Sequence, residues 1–326
     1  MDAHEATSLS RRRFLAAAGA AGATLVLAPR RMFGEHQWPS EFLTSRPGPV
    51  QQIRKAAATD PVRVQSLRGN ISVLLGSGGN VAALPGADGV LLIDSGIVGP
   101  KIAAAVATFT RTPIRHLVNT HWHFDHTDAN AWLHAQGSDI LAQENTRKHL
   151  ATNTRVEDWD FTFPASPTGA LPATVFTTER TLQLNGSRIA LKKYAPAHTD
   201  SDISVHFGDV DVLHVADTWW NGLYPFIDYS TGGSLDGTIR ATDENLRRVS
   251  PSTIIIPGHG AVGDRVALLK YRDMLGVIRD RVATLKKQGR TANEVVAAKP
   301  TASFDAVWGG SVIDPASFTR LVYKGV

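Results

Sequence analysis

The sequence predicts an α/β chain in which two β-sheets pack face to face with helices on their outer surfaces, an αββα sandwich. Three observations lead there. Short apolar strands separated by Gly-rich turns give way to a helix twice over, once in each half of the chain. Asn185-Gly186, a two-residue hairpin signal, joins two such strands in the second half. His and Asp residues also recur just after apolar runs, at the strand ends where open α/β folds place their sites. The two halves share an order of elements, with no repeat of residues.

Taken in order, 61–326 reads as one catalytic domain. Val62–Leu67, Ile71–Leu75, Val81–Leu84 and Val90–Ile93 are expected strands, divided by turns such as Gly76-Ser-Gly-Gly79 and ending in Asp94-Ser-Gly96. Pro100 opens a helix through Phe109, because a first-turn proline lacks only an N–H that a helix leaves unpaired. A buried strand Ile114–Val118, a helix Thr127–Ala135, a strand Asp139–Ala142 and a short helix Asn145–Leu150 follow. Residues 151–177 show no clean periodicity but hold Trp159, Phe161, Phe163 and three prolines. They read either as a lid or substrate wall, or as a plain surface crossover. Thr181–Leu184, Arg188–Tyr194, Ile203–Phe207 and Val210–Val215 are expected strands. A helix Ser234–Arg248, a buried strand Thr253–Ile256, an amphipathic helix Asp264–Gln288 and a small helical segment complete the chain.

Between Val118 and Thr127 the sequence places His121, His123, Asp125 and His126 within six residues. Imidazoles at i and i+2 of an extended segment point the same way, and a tight turn brings the other two alongside. Imidazole with carboxylate is the donor set that zinc and similar divalent ions prefer. A solvated histidine-rich loop is the plain alternative. It is disfavoured by the strand-to-helix junction and by matching residues downstream. His198 follows Ala195-Pro-Ala197, Asp217 closes Val212-Leu-His-Val-Ala, and His259 sits in Pro257-Gly-His-Gly260, where glycines admit close backbone approach. The candidates number seven, five His and two Asp. The chain has no cysteine, which excludes thiolate ligands, a thiol nucleophile and any disulfide framework. His116, His134, His149, His206 and His214 read as packed or surface residues, and His4 and His36 precede the domain.

Residues 1–28 read as an address. Ser10-Arg-Arg-Arg-Phe-Leu15 precedes an Ala/Gly-rich apolar run to Leu27, and Val26-Leu-Ala28 offers a small-residue cleavage site. This resembles a twin-arginine signal peptide with Arg11 and Arg12 as the pair, and implies the twin-arginine export machinery as a partner and a periplasmic or secreted destination. The run is shorter than the roughly 20 residues that span a bilayer, so no stable membrane anchor is expected. Residues 29–60 read as an extended N-terminal arm. Net charge is +4 with no long basic run, which gives little support for a nucleic-acid partner.

Asp94 in Leu-Ile-Asp-Ser-Gly, His121-x-His123-x-Asp125-His126, His198, Asp217 and His259 occur in the order of the metallo-β-lactamase superfamily motifs, and the chain resembles that family over nearly all of 61–326. The resemblance implies two Zn²⁺ per chain. His121, His123 and His198 would hold one ion, Asp125, His126 and His259 the other, with Asp217 bridging and Asp94 orienting the histidine loop from behind. It implies a hydrolase in which a water shared by the ions attacks a cyclic amide, lactone, ester or thioester, with Asp125 orienting it or relaying its proton. Asp217 resembles hydroxyacylglutathione hydrolases, lactonases and related esterases, and so weighs against β-lactam hydrolysis, while a periplasmic address weighs for it. Trp219, Trp220, Tyr224 and Phe226, with Trp159, are expected either to wall a small, partly hydrophobic substrate or to pack the core beneath it. An accessory metalloprotein of a quinoprotein system and an iron-dependent oxygenase on the same scaffold are the alternatives.

Overall fold

A computed structural model describes residues 48–326. The leader with Arg11 and Arg12, and residues 29–47 of the arm, lie outside the described residues. Where the arm enters the described part it is not extended. Pro49–Thr59 is an α-helix that buries Val50 and Ala57 and turns Gln51, Lys55 and Ala58 to solvent. Val50, Ile53 and Ala57 stand at i, i+3 and i+7, a helical spacing that the polar composition obscures. Lys101 Nζ donates to the carbonyls of Ala57, Ala58 and Asp60 and so closes the helix C-terminus.

Two sheets form the frame. The first has seven strands in the order β1-β2-β3-β4-β5-β6-β9: Arg63–Ser66, Ser72–Leu75, Val81–Leu84, Val90–Ile93, Ile114–Asn119, Asp139–Gln143 and Thr174–Phe176. The second runs β10 to β14 in chain order: Glu179–Leu184, Ser187–Lys193, Ile203–Phe207, Val212–Asn221 and Ile254–Gly260. The pairs β4–β5, β5–β6, β6–β9 and β13–β14 are parallel.

Alternation along the strands decides which side chains meet. Val73, Leu75, Leu91, Ile93 and Val118 of the first sheet pack between the sheets on Ile189, Leu191, Val205, Phe207 and Ile256 of the second. Their neighbours Leu74, Val81, Leu92 and Leu117 turn outward onto Ile102, Val106 and Leu133 of the helices Gly99–Val106 and Asn130–Ala135. On the far side, Leu213, Val215 and Ile255 pack against Leu268, Met274, Leu275 and Ile278 of the helix Arg265–Lys287 and against Phe318 of Pro315–Gly325. Helices therefore cover both outer faces of a two-sheet core, as the sequence predicts. Asp264 starts the long helix by accepting from Ala267 N, and Ser234 starts Leu235–Arg248 by accepting from Gly237 N.

Several boundaries differ from expectation. The helix expected over Thr127–Ala135 is two short ones, Phe124–Thr127 and Asn130–Ala135. Residues 151–177 are not an unstructured loop. Thr154–Val156 (β7) and Phe161–Phe163 (β8) form a hairpin, and Thr174–Phe176 joins the edge of the first sheet. The strand expected over Val210–Val215 is Val212–Asn221 and so carries Asp217 within it, and the strand expected to stop at Ile256 runs through His259. In the first of these the ladder slips between His214 and Ala216 and again before Trp220. The bulged strand carries the candidate ligand Asp217 mid-length, which alternation alone does not foresee.

Candidate metal centre

All seven candidate ligands converge at one end of the sandwich. His121, His123, Asp125 and His126 come from the turn after β5, His198 from the β11–β12 loop, Asp217 from β13 and His259 from β14. None is more than 7% exposed, so their polar atoms must find partners within the site. The donor atoms of His121, His123, His198 and Asp217 lie within 4.8 Å of one another, and those of Asp125, His126 and His259 do likewise.

Outer contacts fix which nitrogen of each ring faces inward. His126 Nδ1 donates to Asp94 Oδ2 at 2.8 Å, which turns Nε2 to the centre. The Asp94 carboxylate also accepts from Thr120 N and Thr120 Oγ1, both at 2.7 Å. His198 Nδ1 donates to the Phe226 carbonyl at 2.8 Å, and His123 Nε2 to Asp228 Oδ2 at 3.0 Å. In the neutral ring, each such partner sets a tautomer and leaves the opposite nitrogen with a lone pair.

The inward atoms suit a divalent cation. His123 Nδ1 and His198 Nε2 lie 2.8 Å apart, two lone pairs that repel unless a cation or a proton stands between them. His121 Nε2 is buried with no hydrogen-bond partner. Donors about 2.0–2.1 Å from one ion in a tetrahedral arrangement stand about 3.3 Å apart. His198 Nε2 lies 3.4 Å from Asp217 Oδ2, His259 Nε2 is 3.2 Å from Asp125 Oδ2 and 3.3 Å from Asp217 Oδ2, and His126 Nε2 is 3.1 Å from Asp217 Oδ1. The match favours a small ion with nitrogen and oxygen ligands over calcium.

Burial and charge divide the centre. Burial holds His121 well below the ordinary imidazole value, and burial likewise takes His198 down to about 4. On the other side burial is outweighed. Asp217 and Asp125 raise His259 to about 9, and with Asp94 they hold His126 well above its usual value. Burial also opposes ionisation of Asp217, but His259, His126, His198 and His121 together keep its carboxyl well below the carboxylate range.

Backbone geometry supports the close approach. Ala216, just before Asp217, has φ +47°, and Asp94 has φ +66°; such residues cost about 1–3 kcal/mol each and persist only where packing enforces them. A Cβ on Gly258 would stand 1.8 Å from Asp217 Oδ1, and one on Gly79 would stand 2.1 Å from the His126 ring. Only glycine fits beside these ligands.

A family model described as the metallo-beta-lactamase superfamily matches residues 75–259, a stretch that contains all seven residues and Asp94. The chain belongs to the metallo-beta-lactamase superfamily. A curated relative, the 2,4-dinitroanisole O-demethylase subunit alpha of Nocardioides sp. strain JS1661, is 27% identical over 184 residues, 55% of this chain and 51% of that protein. The chain thus spans about half the length of that relative. Among solved structures, the stereoselective inverting sec-alkylsulfatase of Pseudomonas sp. superposes with TM-score 0.59 at 17% identity, over 81% of this chain and 50% of its own. The metallo-beta-lactamase of Pontibacter korlensis superposes with TM-score 0.54 at 18% identity, over 66% of this chain and 99% of its own. These structural likenesses show the fold.

The five expected wall residues separate in space. Trp159, on the turn of the β7–β8 hairpin, stands 4.6 Å from Phe226 and 5.8 Å from His123 between ring centroids. Phe226 is 6.2 Å from His198. The hairpin is tied down by Glu157 N donating to Ser230 Oγ and by Lys324 Nζ paired with Asp158. Trp220 lies over His259. Trp219 and Tyr224 do not reach the site. Trp219 packs in the core under the long helix, against Gly263, and Tyr224 stacks on Phe318 and donates to Asp305. An adjacent strand residue points to the opposite face, which separates Trp219 from Trp220.

The remaining described histidines stand outside the two donor groups. His116 meets the Asp88 carbonyl, His134 the Ser138 carbonyl and His149 the Asp200 carboxylate. His206 is half-buried on β12, and His214 accepts from Ala216 N beneath the site. Sequence reasoning missed Asp228, Thr120 and Asn80. Asp228 caps its own turn through Ser230 N and Thr231 N, so in sequence it reads as a turn former. Asn80 N donates to the Gly258 carbonyl, and its side chain to the carbonyls of Pro257 and Gly260; its place at the end of a Gly-rich turn hides that clamp.

Proposed function

We propose that the chain is a dinuclear zinc hydrolase that cleaves a small, partly apolar ester, lactone, thioester or cyclic amide. The observation that carries this reading is the convergence of seven buried donors in two groups, His121, His123, His198 and Asp217 in one and Asp125, His126 and His259 in the other. His121, His123 and His198 would hold the first ion, Asp125, His126 and His259 the second, and Asp217 would serve both. Bound as a pair, zinc ions supply the Lewis acidity that brings a shared water towards ionisation at neutral pH and polarises the scissile carbonyl.

The chain's own groups do the rest. Asp125 is the more exposed carboxylate of the cluster, at 5% against 1% for Asp217, so it is the one that meets incoming water. Burial opposes its ionisation, but His126 and His259 keep its carboxyl below the usual value. It is ready to orient that water and take its proton for the leaving group. Trp159 and Phe226 cover His123 and His198 with apolar surface, which favours a substrate with a hydrophobic part. The relative's name adds an activated aryl methyl ether to the candidate bonds. Arg11, Arg12 and the apolar run after them support export of the folded protein.

The test is a panel on zinc-loaded protein with and without chelator: a nitrophenyl ester, a lactone, a thioester, a chromogenic cephalosporin and 2,4-dinitroanisole. Chelator-sensitive turnover of an ester or lactone, with kcat/KM approaching about 10⁴ M⁻¹s⁻¹, is expected. Protein that binds two zinc ions yet hydrolyses none of the panel contradicts the reading, and turnover that requires iron and oxygen replaces it.

A further inference from the structure

Two of the seven candidate ligands, Asp217 and His259, share a neighbour that no motif marks. Strands β13 and β14 run parallel, and Trp220 stands opposite His259 in their register. Its indole ring lies on the His259 imidazole, with centroids 4.2 Å apart and planes at 43°. Its Nε1–H donates to Asp217 Oδ2 at 3.1 Å. The side chain is 5% exposed, so water competes little for that hydrogen bond.

The contact arises from the irregular strand. Residues three apart on a regular strand face opposite ways, and Asp217 and Trp220 are three apart. They meet because the ladder shifts between Ala216 and Trp220, after Ala216 at φ +47°. A bulge commonly re-aims a side chain beside a site. Here it leaves Trp219 in the core and turns Trp220 to the ligands.

The oxygen that Trp220 holds is the one placed between the two groups. Asp217 Oδ2 lies 3.4 Å from His198 Nε2 on one side and 3.3 Å from His259 Nε2 on the other. A carboxylate free to rotate about its bond to Cβ would present either oxygen to either side. A donor fixed on Oδ2 removes that freedom and draws off part of the charge on that oxygen.

We propose that Trp220 is a positioning residue of the metal pair: its indole N–H sets the rotation of Asp217 between the two ions, and its ring seats His259. This rests on the dinuclear reading above. Trp220 acts through two ligands, whereas Trp159 and Phe226 line the substrate side.

The experiment is a zinc titration of metal-free protein against a chromophoric chelator, together with the visible spectrum of the cobalt(II)-substituted protein. Trp220→Phe keeps a ring over His259 and removes only the N–H donor. It is expected to weaken at least one ion by about tenfold and to shift the cobalt spectrum. Trp219→Phe, the control on the neighbouring position, leaves both constants and the spectrum at wild type. If Trp220→Phe does not fold, Trp220→His restores an N–H on a ring. Constants within about threefold of wild type then support the assignment, and a loss of about tenfold or more there counts against it. Wild-type protein that binds fewer than two zinc ions contradicts the dinuclear reading, whatever Trp220→Phe does. Wild-type protein that binds two, matched by Trp220→Phe in both constants and in its spectrum, overturns only the role of Trp220.

Discussion

The two donor groups of the centre are built from similar residues and carry different charge. In the first, His121 and His198 are held neutral by burial, so their lone pairs are available without loss of a proton. In the second, Asp217 and Asp125 raise His259 to about 9 and, with Asp94, hold His126 well above its usual value, so a metal there competes with protons. The difference teaches that a ligand set fixes which ion binds, while the neighbours of each ligand fix what that ion must displace. Uptake at the second group must release protons, and uptake at the first need not.

Removing the residue common to both groups has the largest expected effect. Asp217→Ala is expected to lower hydrolysis by about 10³-fold or more and to reduce zinc bound per chain, with the far-ultraviolet circular dichroism unchanged. His121→Ala should abolish most activity while the second group still binds its ion. Full activity in zinc-replete His121→Ala breaks the assignment of the first group.

The outer carboxylates extend the comparison, because each directly holds an imidazole of a different group. Asp228 holds His123 and Asp94 holds His126. Asp228→Asn is expected to weaken the ion at the three-histidine group, and Asp94→Asn the ion at the other, each by about 10- to 100-fold. Chelator competition with cobalt as a reporter distinguishes the two. Equal losses at both groups from either substitution would erase the distinction.

The proton difference gives a pH prediction for metal-free protein. His259, at 6.5 in an unfolded chain, is raised to about 9 in the fold. Its pairing therefore stabilises the protein fully below pH 6.5 and is lost as pH rises through 9. His126 is raised and acts in the same sense. The melting temperature of the metal-free protein is expected to fall from pH 7 to pH 9, and zinc should abolish that slope. A flat profile without metal contradicts the protonated second group.

Tyr224→Phe marks the smallest effect. It removes the hydrogen bond to Asp305 and leaves the ring on Phe318. About 1 kcal/mol of stability should be lost, with zinc content and turnover unchanged.

Most of the fold was legible because alternation and turn residues report on the core directly. The strands of both sheets stand where apolar runs stand, and Asn185-Gly186 joins β10 to β11. The cluster of seven candidate ligands was legible for a chemical reason, since His and Asp residues repeated at strand ends have few other uses, and the fold brings them together. What sequence hid was set by neighbours distant in the chain. Trp219 and Trp220 are the same residue type side by side, and only the bulge after Ala216 decides which one faces the ligands. Asp228 looks like a turn cap because it is one, through Oδ1, while Oδ2 accepts from His123. The helix Pro49–Thr59 was hidden by its polar face.

Two unlike groups joined by Asp217 are each expected to hold one ion. The most direct test is calorimetric titration of zinc into metal-free wild-type protein in buffers of different ionisation enthalpy, which counts ions and released protons together. Two ions per chain are expected, one taken up with net proton release at pH 7 and one with little. A single ion, or two with the same proton release, would contradict that expectation.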